Sequence, residues 1–198
     1  MLNIAVFISG GGTNLQAIIN AVKENKINGK IKLVFSNRKN AYGLIRAQNE
    51  SIDTFYLNRK KFFSSEKYDE RILEELERKN IDLIVLAGYL NILSLKLVSK
   101  YSNRIINIHP SLIPSFCGDG FYGENVHKAV IKSGVKFTGA TTHFVDENVD
   151  TGAIILQDVV PVLINDDFET VAKRVLEIEH EILVKTVKAF CDNKIVFK

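Results

Sequence analysis

Asn107, His109 and Asp150 are the residues whose types and spacing could carry acid–base chemistry, and Ser9–Asn14 is the stretch that could hold an anion. The segment NRIINIHPSLIPSF, residues 103–116, ends an apolar run on Asn107 and His109 just before Pro110. Proline turns the residue before it away from the α region, and in an extended chain alternate side chains share a face. Asn107 and His109 therefore point one way, and Ile108 the other, toward a core. Asp150 closes the turn VDENVD ahead of a small Thr-Gly pair. A carboxylate beside an imidazole favours the imidazolium, which predicts a raised pKa for His109, and it can also relay protons. An imidazolium beside an amide makes two donors suited to the oxyanion of a tetrahedral intermediate. No serine elbow or metal-ligand spacing accompanies them, so the chemistry would be acyl transfer to an amine without a covalent enzyme intermediate or a metal. The same spacing also describes a satisfied loop histidine and an ordinary turn aspartate, and spacing alone leaves both open.

The stretch Ser9-Gly-Gly-Gly-Thr-Asn14 joins a first apolar run to a first helical pattern. Backbone N–H groups and the helix dipole at such a junction favour a phosphate. The dinucleotide fingerprint is absent: Gly10 and Gly12 fit its first two positions, but Leu15 takes the third, and Ser36, Asn37 and Arg38 stand where an acidic ribose contact belongs. There is no Walker lysine either. A small phosphate monoester fits better than NAD or ATP; the competing account is a glycine turn that only lets strand and helix pack closely. Of the other histidines, His127 and His180 fall on helical patterns. His143 falls in a strand, sharing a face with Thr141 and Val145, where a hydrogen-bonded structural role or a place behind Asp150 is expected.

The elements that must position these residues alternate. Apolar runs at Leu2–Ile8, Lys32–Phe35, Asp82–Ala87 and Arg104–Ile108, with a weaker one at Thr54–Leu57, are separated by helical patterns at Leu15–Lys23, Gly43–Glu50, Tyr68–Arg78 and Ser94–Lys100. This predicts an α/β fold with a Rossmann-like, mostly parallel sheet and flanking helices. Ligands bind such sheets at the carboxyl ends of the strands. The unusual residues of this half sit at those ends: Gly10–Asn14, Ser36 and Asn37, Gly88–Asn91, and Asn107 with His109. Beyond them a long Gly- and aromatic-rich loop, 110–125, precedes a helical pattern at Val126–Lys132. Phe137–Val145 and Ala153–Val162 then predict an antiparallel hairpin added to the sheet. Phe168, Val171, Val175, Ile178, Ile182 and Leu183 mark a long C-terminal amphipathic helix.

With 198 residues and 46% apolar content, the chain suits one domain with a substantial core. A net charge of +3 from 26 basic and 23 acidic residues sets up no field calling for nucleic acid or an anionic membrane. No basic leader precedes the first strand, and no apolar run approaches the roughly 18 residues of a span. A soluble, cytoplasmic protein with small-molecule partners is expected, and a homodimer is left open. Cys117 and Cys191 form no paired motif, so free thiols are the expectation.

The blocks ISGGGTNLQAII, VFSNRKNAYGLIRA, DLIVLAGYLNILS, NIHPSLIPSF and THFVDENVDTGAIILQ, in this order and spacing, resemble the phosphoribosylglycinamide formyltransferase family of folate-dependent enzymes. The resemblance runs from residue 2 to about residue 190. It implies transfer of a formyl group from 10-formyltetrahydrofolate, a co-substrate, to the amino group of phosphoribosylglycinamide in purine synthesis, with no metal. It places catalysis on Asn107, His109 and Asp150. It places the nucleotide phosphate on Gly12, Thr13 and Asn14, the ribose on Glu179 and the glycinamide arm beside Gly88. The folate falls to Leu90, Asn91, Ile92, Leu93, Asn107, Val145, Asp146 and Asp150, and to Ser65. It divides one formyltransferase domain, 1–198, into a nucleotide-binding half, 1–109, and a folate and catalytic half, 110–198. Members of the family often carry Arg at the position of Asn91, and some carry Arg at the position of Ser65. Their loss predicts a weaker hold on the folate tail, with Lys60 or Lys61 as substitute cations.

Three rival functions follow from the same residues. A methionyl-tRNA formyltransferase shares the folate half of the site, but that family appends an RNA-binding domain and lacks the glycine loop. A formyltetrahydrofolate hydrolase usually carries an N-terminal regulatory domain. A catalytically silent binding module is opposed by the presence together of Asn107, His109 and Asp150.

Overall fold

A computed structural model describes residues 1–195, so the last three residues of the predicted domain lie outside the described part. Strands β1 (Leu2–Ile8), β2 (Gly29–Ser36), β3 (Thr54–Tyr56), β4 (Leu83–Leu86), β5 (Ile105–His109), β6 (Phe137–Phe144) and β7 (Ile154–Pro161) form one sheet in the order β3-β2-β1-β4-β5-β6-β7. Helices α1 (Thr13–Lys23), α2 (Tyr42–Asn49), α3 (Ser65–Arg78), α4 (Leu95–Lys100), α5 (Glu124–Ser133) and α6 (Phe168–Cys191) flank it. A short 3-10 turn at Arg59–Lys61, which the sequence patterns do not signal, precedes α3.

Strand β1 is central and almost wholly buried, which is why it reads as a continuous apolar run. Its pleat divides the core. Ile4, Val6 and Ile8 face a cluster with Leu15 and Ile18 of α1 and Val171, Val175 and Ile182 of α6. Ala5 and Phe7 face the other side, with Phe35, Tyr68, Ile72, Leu76 and Leu97. Burying these side chains stabilises the fold by about 1.5–3 kcal/mol for each large residue. Oxygen caps start three of the helices: Ser64 accepts from the Lys67 N–H, Ser94 from Leu97 and Asp167 from Thr170.

Pairing is parallel from β3 through β5, then antiparallel where β6 joins β5 and β7 joins β6. Strand order reverses between β1 and β4, so a crevice opens beyond their carboxyl ends. The antiparallel pair β5–β6 sets Asn107 opposite His143 and His109 opposite Thr141. The outer edge of β7 is blunted. Pro161 has no N–H to offer a further strand, and the Val159 N–H is taken by the Asp158 carboxylate at 2.8 Å. Among the described residues no helix is long and apolar enough to cross a membrane.

Candidate active site

A cavity of about 490 Å³ opens along the carboxyl ends of β4 and β5, with Asn14 of α1 at one side. The glycine turn flanks one end. Gly12 is the residue before α1, in the left-handed region at φ 71°, and no side chain caps the helix. A Cβ on Gly12 would stand 2.7 Å from the Gly43 Cα, so the turn can lie against α2 only without a side chain. The Gly43 N–H donates to the Gly10 carbonyl at 3.1 Å, and Arg46 Nε donates to the Gly11 carbonyl at 2.8 Å. The uncapped N–H groups at the start of α1 thus sit on a rigid turn with a guanidinium behind it, a setting for an anion.

Asn14 leads from the turn into the cavity, where its Nδ2 donates to Glu179 Oε2 at 2.7 Å. Its Oδ1 is buried without a partner. Burial pushes the Glu179 carboxyl up to about 7, with the Asn14 amide opposing the rise. This pair, an acceptor lacking a donor and a carboxyl that holds its proton, suits the hydroxyls of a bound sugar.

At the centre, His109 and His143 converge on Asp150, which reaches them from the β6–β7 turn, and Asn107 Nδ2 lies 3.0 Å from His143 Nε2. Asp150 takes the left-handed backbone region at φ 57°. The chain then passes so close beneath that a Cβ on Gly152 would lie 1.8 Å from the Phe144 carbonyl oxygen. His109 Nδ1 is 3.6 Å from Asp150 Oδ2, and His143 Nε2 is 3.6 Å from Asp150 Oδ1. The Gly118 N–H donates to Asp150 Oδ2 at 3.0 Å, tying the long loop to the turn. Burial works against the charge of Asp150. The His143 contact, the Gly118 N–H and His109 outweigh it and hold the carboxyl below its usual range.

His109 departs from the sequence expectation. Its pKa is lowered, because burial of a ring only 4% exposed outweighs both the hydrogen bond to the Phe116 carbonyl and the pull of Asp150. The neutral imidazole is therefore its resting form. A carbonyl only accepts, so the 2.9 Å contact to Phe116 places a proton on Nε2 and leaves Nδ1, beside Asp150, as the edge available for proton exchange.

On the other side of the cavity lie Gly88 and Leu90–Leu93, facing the turn from Val145 to Asp150. Ser9, buried at the end of β1, fixes this segment: its Oγ accepts from the Leu90 N–H at 2.9 Å and donates to Asn37 Oδ1 at 2.7 Å, while Asn37 donates to Asn91 at 2.8 Å. Leu90, Ile92 and Val149 remain exposed beside the cavity, apolar surface that a flat ring system would cover.

Thus Asn14, Gly88, Leu90–Leu93, Asn107, His109, Val145, Asp146, Asp150 and Glu179 all line one cavity, whereas Gly12 and Thr13 flank it. Ser65 lines a neighbouring recess with Asn91 and Arg59, and neither Lys60 nor Lys61 lines that recess. Arg59 donates to Ser65 Oγ at 3.1 Å and lies over the Tyr68 ring. The cation that lines this recess beside Asn91 and Ser65 is therefore Arg59. Arg46 was missed by sequence reasoning, although its place one helical turn after Gly43 was a usable signal. His127 was given no role, yet it lines the cavity, is 94% buried by its 6% exposure, and has no partner for Nδ1.

Comparison with known proteins agrees with this geometry. Residues 2–187 match the family model described as "Formyl transferase". The chain is 41% identical over 194 residues to the phosphoribosylglycinamide formyltransferase of Escherichia coli, covering 98% of this chain and 89% of that one. It is also 41% identical over 195 residues to the chloroplastic phosphoribosylglycinamide formyltransferase of Vigna unguiculata, covering 98% of this chain but only 62% of the relative. The crystal structure of glycinamide ribonucleotide transformylase 1 from Symbiobacterium toebii superposes with a TM-score of 0.95 at 39% identity, covering 100% of this chain and 91% of that one. With a switch-point cavity built around an amide, two histidines and an aspartate, and a family match over nearly its whole length, this chain belongs to the formyl transferase family.

Proposed function

We propose that the protein transfers a formyl group from 10-formyltetrahydrofolate to the amino group of phosphoribosylglycinamide, a step of purine biosynthesis. The observation that carries this reading is that one cavity joins three parts: the Asn14–Glu179 pair beside the glycine turn, the Asn107–His109–Asp150 centre, and the apolar Leu90–Leu93 wall. That order matches a nucleotide with an amine, a reacting carbonyl and a ring system. Gly12, Thr13 and Asn14 hold the phosphate, Glu179 the ribose, and Gly88 borders the glycinamide arm. Leu90–Leu93 and the turn from Val145 to Asp150 hold the folate ring, with Ser65 and Arg59 beside its tail. The two halves 1–109 and 110–198 share the work within one domain: the first supplies the phosphate turn together with Asn107, His109 and the Leu90–Leu93 wall, and the second supplies Asp150, the turn before it and Glu179.

When bound, the folate supplies the formyl carbon; the protein supplies donors and a place for the proton. Asn107 Nδ2 donates to the charge that builds on the formyl oxygen as the amine attacks. His109 enters neutral and gains its second proton on Nδ1, where Asp150 stabilises the resulting cation. Asp150, already ionised, shares the proton that the amine gives up, and the His109–Asp150 pair returns it to the N10 nitrogen of the folate as the bond from N10 to the formyl carbon breaks. No covalent bond to the protein is needed.

The test is to mix purified protein with the ribonucleotide and 10-formyltetrahydrofolate and follow folate deformylation spectroscopically. Turnover that requires the nucleotide supports the reading. Turnover without it would indicate the hydrolase, formylation of charged tRNA alone would indicate the tRNA enzyme, and binding without turnover a silent module. The reading places the enzyme in the cytoplasm. Since the cowpea relative is named chloroplastic, cell fractionation decides the compartment. Sedimentation decides whether a homodimer forms, and the blunted edge of β7 argues that any such dimer does not continue the sheet.

A further inference from the structure

We propose that His143 is a positioning residue for formyl transfer: its Nε2 lone pair holds the Asn107 amide so that Nδ2, rather than Oδ1, serves the reacting centre. The inference deepens the reading above and rests on it.

His143 is 2% exposed and lies directly across the antiparallel β5–β6 pair from Asn107. Its Nδ1 is 2.8 Å from the Phe144 carbonyl oxygen. A carbonyl has no proton to give, so Nδ1 bears the hydrogen and the lone pair of the neutral ring falls on Nε2. That nitrogen is 3.0 Å from Asn107 Nδ2. A primary amide has a donor end and an acceptor end of nearly the same shape, and cavity packing alone does not choose between them. The His143 lone pair does choose: the amide turned over would set Oδ1 against Nε2, acceptor to acceptor. One Nδ2 hydrogen is thus committed to His143, and the other is left for a ligand in the cavity that Asn107 lines.

The rest of the fold maintains this state. The Phe144 carbonyl that selects the tautomer lies under Gly152, where any Cβ would collide with it, so the turn cannot shift without disturbing that carbonyl. A proton on Nε2 would reverse the arrangement. The N–H would face Asp150 Oδ1, 3.6 Å away, and draw Asn107 Oδ1 inward in place of Nδ2. His143, which lines the same cavity, thereby couples the carboxylate that handles protons to the amide that stabilises charge.

The experiment compares His143→Leu and His143→Gln, each alone and combined with Asn107→Ala, in the formyl transfer assay, with circular dichroism as the check on folding. His143→Leu should lower kcat about 10- to 100-fold, as expected for a misoriented oxyanion donor, with the KM for the nucleotide nearly unchanged. His143→Gln, whose Oε1 can accept the same N–H, should recover most of that loss. In the Asn107→Ala background the loss from His143→Leu should shrink to about a few-fold, because a residue acting through Asn107 has nothing left to position and only its contact with Asp150 remains to be lost. A folded His143→Leu with wild-type kcat, a Gln variant no better than Leu, or an equal loss in the Asn107→Ala background would each overturn the proposal. Nitrogen-15 NMR of the wild-type ring answers even if the variants do not fold: a bare Nε2 and a protonated Nδ1 support it, and a protonated Nε2 overturns it. Wild-type protein that transfers no formyl group would instead defeat the functional reading, while the NMR result would still report the ring's state.

Discussion

The glycine turn and the β5–β6 centre belong to the same site, yet they are built in opposite ways. The turn is six consecutive residues, Ser9–Asn14, whose shape is set by backbone freedom and whose chemistry is that of N–H groups. The centre takes Asn107 and His109 from one strand, His143 from its neighbour and Asp150 from a turn, and its chemistry depends on which nitrogen carries which proton. A contiguous backbone site tolerates changes of side chain but not of conformation. A site assembled from distant side chains tolerates neither a lost partner nor a changed tautomer. Under the proposed function, the turn would mainly bind the nucleotide and the centre would mainly set the rate of reaction.

The sharpest separation should come from the centre. His109→Ala and Asp150→Asn should each lower kcat by about 10³-fold or more while calorimetry finds nucleotide affinity within a few-fold of wild type. A near-normal kcat in either variant would remove the distinction between the regions. At the turn, Gly12→Ala should act the other way. Its Cβ would stand 2.7 Å from the Gly43 Cα at a positive φ, so urea unfolding should show a loss of about 1–3 kcal/mol. The nucleotide KM should rise about tenfold or more, with a smaller change in kcat.

Glu179 tests the border between the two regions through pH. Its carboxyl is held at about 7 in the folded protein against an ordinary value of 4.5, so between those values the folded chain keeps a proton that the unfolded chain has lost. Stability from this group is therefore greatest below 4.5, declines as pH rises toward 7 and is level above it. Measured against Glu179→Gln, the wild type should lose about 2–3 kcal/mol between pH 4.5 and 7.5; parallel curves for the two proteins would contradict the burial argument. The smallest effect is expected at Arg59. Arg59→Ala should raise the folate KM by about 2- to 5-fold and leave the nucleotide KM alone, since a partly exposed surface cation contributes about 1 kcal/mol or less to binding an anion.

Both regions show how far the chain could be read beforehand. The apolar run Leu2–Ile8 was enough to mark a buried strand, and β1 has those same bounds. Pro110 after His109 was enough to place Asn107 and His109 on one side, and both line the cavity. The pKa of His109 was read in the wrong direction. A neighbouring carboxylate can be inferred from sequence, but the desolvation that outweighs it is a property of the packed loop around Phe116 and Gly118. Arg46 and Arg59 were passed over for a related reason, since their partners, Gly11 and Ser65, are set by how a helix and a short 3-10 turn lie against other segments.

The sequence by itself determined the main strands and helices, the glycine turn and the side-chain types at the strand ends. These follow from local preferences and short periodicities. Tertiary structure alone decided that His143 stands opposite Asn107, that the Phe144 carbonyl sets its tautomer, and that His109 rests neutral. Strand register joins residues 36 positions apart, and the cost of burying a charge depends on everything packed around it, so neither is written in any short stretch of the chain.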